Sequence, residues 1–237
     1  MTELLHMQDC YLRRFEAQII EVVPEAGGVV LDRTAFHPLG GGVDDDKGML
    51  VADGHKFIVN GVRWVEGKPV HLIDDVTGLS PGMKVNGEID WPRRYLLMRT
   101  HTAAHLLEAM IYNKTGALIG SGRVSVDSSY LGFTLDEMDK DLILGAVEEA
   151  NQWVDKGAKV NISFMKREDA LKDPGMVKLA GKLPPEVSEL RIIEIEGIEK
   201  QACGGPHVGD IKELGAIEAV DLKNKGAKNR RLYYKVT

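Results

Sequence analysis

Hydrophobic positions change period near residue 92. Before it, short apolar runs alternate with turn signals. "AQIIEVV" (17–23) and "GVVLDRTAF" (28–36) flank Gly27-Gly28 as two strands of a hairpin would. "MLVADGHKFIVNGVRWVEGKPVHLI" (49–73) is broken at Asp53-Gly54, Asn60-Gly61 and Glu66-Gly67, each of which predicts a turn. Many short strands with frequent turns predict a small β-barrel-like unit, and Pro81, Gly82 and Pro92 close it near residue 92. Residues 1–92 are therefore expected to form an N-terminal domain.

Beyond that point the period becomes helical. In "RRYLLMRTHTAAHLLEAMIYNKTG" (93–116), Leu97, His101, Ala104, His105 and Ile111 lie roughly along one face, and Gly116 ends the run. A second helix is expected from "TLDE", where Thr134 and Glu137 match a capping box, to Gly157. Leu135, Met138, Leu142, Ile143, Ala146, Ala150 and Trp153 recur along it. "KVNISFM", "LRIIEI", "GAIEAVDL" and "RRLYYKV" read as four strands. Two helices and about four strands predict an α+β domain over 93–237, with helices on one face of a mainly antiparallel sheet.

Composition narrows the setting. With 237 residues, 43% hydrophobic and 28% charged, the chain can bury a real core, and its net charge of −6 advertises no overall basic field. Cys10 and Cys203 are the two cysteines, too few for a disulfide framework. Cys10 reads as a buried small thiol. The opening "MTELLHMQDCYLRRF" lacks the basic start and apolar block of a signal peptide, and no apolar run reaches membrane-span length. The expectation is a cytoplasmic protein with reduced thiols and no membrane partner.

Candidate chemistry centres on His101 and His105. Four residues apart on a helix, they can share one divalent metal, or be two core histidines that found partners. A zinc-protease reading fails, because Thr102 stands where that motif needs glutamate. A second pair, Cys203 and His207, sits in "QACGGPHVGD", whose Gly204, Gly205 and Pro206 make it a loop between strands. Together the four give a Cys-His₃ set compatible with one tetrahedral Zn²⁺ per chain. Such a site is either structural or, with His207 loosely held, catalytic. Gly40-Gly41-Gly42 lacks the Gly-Lys-Ser/Thr of a phosphate loop. Asp44-Asp45-Asp46 lacks calcium-loop spacing and reads as a solvated turn. "DLKNKGAKNRRLYYK" is the strongest local basic stretch: Lys223, Lys225, Lys228, Arg230 and Arg231 surround Gly226 as a hairpin able to meet phosphates, with Arg93 and Arg94 as weaker candidates.

These residues resemble the editing domain shared by alanyl-tRNA synthetases and the free-standing AlaX editing proteins. The resemblance lies in "MRTHTAAHLL", in "ACGGPHVGDIKELGAIEAVDLKNKGAKNRRLYY", in "LDRTAFHPLGGGVDDDKG", and in "GLSPGMKVNGEIDWPRRYLLMRTHTAAH". Those stretches run in the family's order along the chain, from residue 31 to residue 234. It implies a medium-length trans-acting editor without an adenylating core. The expected fold is an N-terminal β-barrel-like domain followed by a two-layer editing domain like that common to threonyl- and alanyl-tRNA synthetases. The implied activity is zinc-dependent hydrolysis of the ester in seryl-tRNA(Ala), and of glycyl-tRNA(Ala). His101, His105, Cys203 and His207 would be metal ligands and catalytic groups. Thr34 would be the catalytic-site reader of the serine hydroxyl, Gly40, Gly41 and Gly42 a structural motif shaping the pocket mouth, and Lys225, Lys228, Arg230 and Arg231 tRNA contacts. Val43 stands where the family often has glutamine, and Gly132 in "YLGF" where an acid is expected. Two other readings keep parts of this picture: editing of seryl-tRNA(Thr) by a related site, and a non-catalytic RNA-binding module with structural zinc. The sequence leaves monomer or dimer open.

Overall fold

The computed structural model describes residues 2–173, 176 and 186–237. The chain divides into two compact units, Met1–Leu96 and Leu97–Thr237. The strands of the first are β1 (Glu3–Leu4), β2 (Arg14–Val23), β3 (Gly28–Leu31), β4 (Arg33–Thr34), β5 (Gly48–Ala52), β6 (His55–Val65), β7 (Lys68–Ile73) and β8 (Lys84–Ile89). Six of them close a barrel in the order β2-β3-β7-β6-β5-β8, every pairing antiparallel, while β1 and β4 form a short parallel pair. Period-two alternation turns Phe15, Ala17 and Ile19 of β2 into the barrel, where they pack with Leu31, Leu50, Val59 and Val85.

Two expected turns are real. Asp53-Gly54 and Glu66-Gly67 take positive φ at both positions (48° and 80°; 49° and 75°), the geometry of a two-residue hairpin turn. Asn60-Gly61 is no turn. It lies inside β6, where the register shifts between Val59 and Gly61, and a Cβ at Gly61 would collide with the Asp45 carboxylate. That glycine serves close approach rather than chain reversal.

Nor is Asp44–Asp46 a solvated turn. Asp45 accepts from Val62 N at 2.7 Å and from Arg63. Asp46 and Arg94 are both fully buried as an ion pair, with Arg94 Nε 2.9 and 3.0 Å from the two carboxylate oxygens. Arg94 also donates to Cys10 O and Ala35 O, and His37 N donates to Asp46. Arg94 is thereby excluded as an RNA contact; Arg93 donates to Asp45 O. Cys10 is buried, its thiol facing His6 O.

Helix α1 (Trp91–Thr115) begins with Pro92 in its first turn, Asp90 accepting from Arg93 N, and ends at Gly116 with φ 69°. The second unit then adds β9 (Ile119–Arg123), β10 (Ser129–Phe133), α2 (Lys140–Lys156), β11 (Val160–Lys166), α3 (Arg167–Ala170), β12 (Glu189–Ile195), β13 (Glu199–Ala202), β14 (Ile217–Asn224) and β15 (Arg230–Val236). Its strands form two antiparallel sheets, β14-β15-β10-β9 and β11-β12-β13, rather than one sheet of about four. The second helix starts at Lys140, not at Thr134. Asp139 caps it by accepting from Leu142 N, and Thr134 Oγ1 instead accepts from Leu118 N beside β9. Helices and sheets are tied by polar contacts: Tyr234 on β15 donates to Thr100 O of α1, and Asn151 of α2 exchanges hydrogen bonds with Ile217 of β14. The fold is thus α+β, an antiparallel barrel followed by a helix-and-sheet unit.

Candidate metal centre

Helix α1 brings His101 and His105 to one buried face, one turn apart. The loop after β13 brings Cys203 and His207. Arg191 of β12, itself buried, shapes that loop by donating to Cys203 O and Gly205 O, both at 2.8 Å, while Cys203 N donates to Arg191 O. The loop leaves through a capping box of Asp210 and Glu213 on the 3-10 turn Ile211–Leu214.

The ligand atoms of His101, His105, Cys203 and His207 all lie within 4.8 Å of one another. Cys203 Sγ is 3.5 Å from both His101 Nε2 and His207 Nε2. A tetrahedral zinc with ordinary Zn–S and Zn–N lengths separates S and N by about 3.5 Å, so these donors fit such an ion. Each imidazole is oriented through its other nitrogen. His101 Nδ1 donates to Pro206 O (3.2 Å), His105 Nδ1 to Glu199 Oε2 (3.2 Å) and His207 Nδ1 to Thr102 Oγ1 (3.0 Å), which also accepts from Val208 N. With Nδ1 engaged in this way, each imidazole turns its Nε2 toward the centre, where a bound metal would take the place of the proton shared with Cys203. The cluster could hold a metal ion.

Burial and charge shape the same atoms. Burial opposes ionisation of Cys203, but the adjacent His101 and hydrogen bonds from the three imidazoles hold its thiol well below the usual range. Burial would lower His105; the carboxylate of Glu199 and the Cys203 sulfur carry it well above the ordinary value. His207 is pushed well down by burial and by the charge of His101.

Sequence reasoning passed over Glu199, Gln201 and Glu108. Gln201 lies beside His105 and donates through Nε2 to Glu108 Oε2 at 3.2 Å. A signal was present: Glu199, Gln201 and Cys203 alternate along β13 and its exit, so they share one face.

The other expected residues lie elsewhere. Thr34 is fully buried in the barrel unit, its Oγ1 2.8 Å from His71 Nε2 and accepting from Phe36 N. Because His71 Nδ1 faces Val29 O and must donate to it, the Thr34 hydroxyl is the donor to Nε2, and one Thr34 lone pair remains. Gly41 and Gly42, with φ of 61° and 82°, form a tight turn closed by the pairing of Gly40 with Val43, which is buried. The basic stretch is indeed the β14–β15 hairpin. Lys228 there pairs with Asp136, Arg230 donates to Gly226 O and Asp136 O, and Arg231 stacks on Tyr130.

The His/Cys cluster lies in the helix-and-sheet unit that follows the barrel in sequence. Residues 190–233 match the family described as the threonyl and alanyl tRNA synthetase second additional domain, and residues 7–93 match class II (A) tRNA synthetases. The chain is 43% identical, over 100% of itself and 99% of the relative, to the alanyl-tRNA editing protein AlaX-M of Saccharolobus solfataricus. To AlaX-M of Methanosarcina barkeri it is 40% identical, over 99% and 98% of the two chains. An alanine–tRNA ligase of Methanothrix thermoacetophila is 35% identical over 92% of this chain but 24% of its own. The chain belongs to the AlaX-M family of alanyl-tRNA editing proteins.

Proposed function

We propose that this protein hydrolyses the aminoacyl ester of seryl-tRNA(Ala), and of glycyl-tRNA(Ala), in trans, using one Zn²⁺ held by His101, His105, Cys203 and His207. The observation that carries this is the convergence of those four donors in a chain that aligns end to end with alanyl-tRNA editing proteins. Zinc bound there would either lower the pKa of a bound water toward neutrality or hold the substrate in register through its amino group. The chain's own part is to hold the imidazole tautomers through Pro206, Glu199 and Thr102, and to keep Cys203 ionised. Thr34 enters as reader of the serine hydroxyl only through its remaining lone pair, as an acceptor. Lys225, Lys228, Arg230 and Arg231 meet tRNA phosphates, and the reaction belongs in the cytoplasm. No helix among the described residues is long and apolar enough to cross a membrane.

The test is deacylation of seryl-, glycyl- and alanyl-tRNA(Ala) by the same metal-analysed sample. Cleavage of the first two with sparing of the third is expected; equal cleavage of all three, or none with metal bound, contradicts the reading. Seryl-tRNA(Thr) as a fourth substrate separates the threonine system.

A further inference from the structure

The loop from Cys203 to Gly209 carries backbone donors that holding a metal does not use. Its amides can be accounted for one by one. Cys203 N donates to Arg191 O, Val208 N to Thr102 Oγ1 and Gly209 N to Glu213 Oε1, while Pro206 has no N–H. Gly204 N and Gly205 N meet no acceptor among the described residues. Gly205 is buried, and an N–H left unmade in such a place costs free energy, so it points to a ligand.

A buried side chain sets the direction of this backbone. Arg191, only 3% exposed, donates through Nη1 to both Cys203 O and Gly205 O at 2.8 Å. A trans peptide points its N–H opposite to its C=O. With the Cys203 carbonyl drawn to the guanidinium, the Gly204 N–H faces the other way. A cationic donor on the carbonyl also polarises the peptide and makes its N–H a stronger donor.

Exposure puts that N–H at the mouth of the centre. His101, His105 and His207 are buried, Cys203 is half-buried and Gly204 is exposed, so the centre meets solvent along Cys203–Gly204. Among the described residues, neither Gly204 nor Gly205 takes a positive φ, so conformation does not call for glycine there. What glycine supplies is a bare main chain that a carbonyl can approach to hydrogen-bond distance.

We infer that the Gly204 and Gly205 amides form an oxyanion cradle for the scissile ester, with Gly204 N–H the leading donor and Arg191 the positioning residue behind it. The cradle rests on the editing reading above, since it presumes an aminoacyl ester. As the oxygen of water bonds to the ester carbon, the carbonyl π pair moves onto its own oxygen, where the amides hold the charge. Collapse restores the double bond and expels the ribose oxygen, which takes the proton that the water gave up. Free amino acid and a free tRNA hydroxyl result.

Single-turnover hydrolysis of seryl-tRNA(Ala) by the zinc-loaded full chain tests it, with binding of a non-hydrolysable amide analogue of seryl-adenosine as second readout. Gly204→Pro removes the N–H and is expected to lower the rate roughly 10²-fold, with zinc content kept and a much smaller change in analogue affinity. Gly204→Ala keeps the donor and should lose less. Arg191→Met releases both carbonyls and should slow the reaction at unchanged zinc content; Arg191→Lys, which restores a cationic donor, should recover part. That pair decides the matter should Gly204→Pro not fold. A loss of rate in Arg191→Met that only follows loss of zinc would make Arg191 a support of the metal loop and contradict the cradle. If the parent hydrolyses the ester while zinc-loaded Gly204→Pro or Arg191→Met keeps its rate, the cradle is wrong and the editing reading stands. A zinc-loaded parent that hydrolyses no ester overturns both.

Discussion

The two units bury polar groups for opposite ends. In the barrel unit, Arg94 and Asp46 are fully enclosed, and the charges meet each other and nearby backbone. The second unit instead gathers three imidazoles and the acidified thiol of Cys203 at one point, each imidazole steadied from behind. One set matches charge with charge internally; the other gathers four groups whose spacing fits one metal ion. Burial alone therefore does not mark a functional site. A spacing of donors that fits an ion does.

The contrast can be broken first on the barrel side. Arg94→Met leaves Asp46 charged and unpaired inside, and urea unfolding should show a loss of about 3–5 kcal/mol whether or not metal is present. Replacing Asp46 by leucine in that background should recover part of it. A loss under 1 kcal/mol in the single variant would mean that the pair is solvated and the comparison fails.

Acid sharpens the same side. His71 stays neutral in the barrel, its pKa pushed by burial from 6.5 down to about 4. The unfolded chain takes up that proton first, so the stability is whole above about pH 6.5 and is lost as pH falls toward 4. The full shift corresponds to about 3 kcal/mol. Urea midpoints through that window should fall more steeply in the parent than in His71→Asn; parallel curves would show that His71 is not the group responsible.

On the metal side, Glu199→Gln keeps the shape but removes the charge behind His105. A chelator-competition titration should register metal binding about 10- to 100-fold weaker, with little change in the urea midpoint of the metal-free protein. Unchanged affinity would remove Glu199 from the account.

How much of this the chain disclosed in advance depends on how local each signal was. The barrel strands were legible because Phe15, Ala17 and Ile19 alternate with polar residues; α1 was legible as a long run between Pro92 and Gly116, although residues 100–111 are buried on every side and not along the one face expected. β9 reads "IGSGR", with two glycines and a serine, and carries no such alternation. Asn60-Gly61 looked like a turn because that dipeptide favours one, but its glycine answers to Asp45, sixteen positions away in sequence. Asp44–Asp46 looked solvated because their cationic partners come from β6 and α1, which no local pattern reveals. At the metal centre the spacing of His101 with His105 and of Cys203 with His207 was visible, whereas Arg191, Glu199 and Thr102 act through contacts made only on folding.

The central claim is that the second unit's four donors hold the ion on which ester hydrolysis depends. Its most direct test is to strip metal from the protein, return zinc stepwise, and follow seryl-tRNA(Ala) hydrolysis alongside bound metal. The account predicts no hydrolysis without metal and activity that saturates at one zinc per chain, with Cys203→Ala losing both together. Hydrolysis at full rate by the metal-free protein, or by a Cys203→Ala variant, would contradict it.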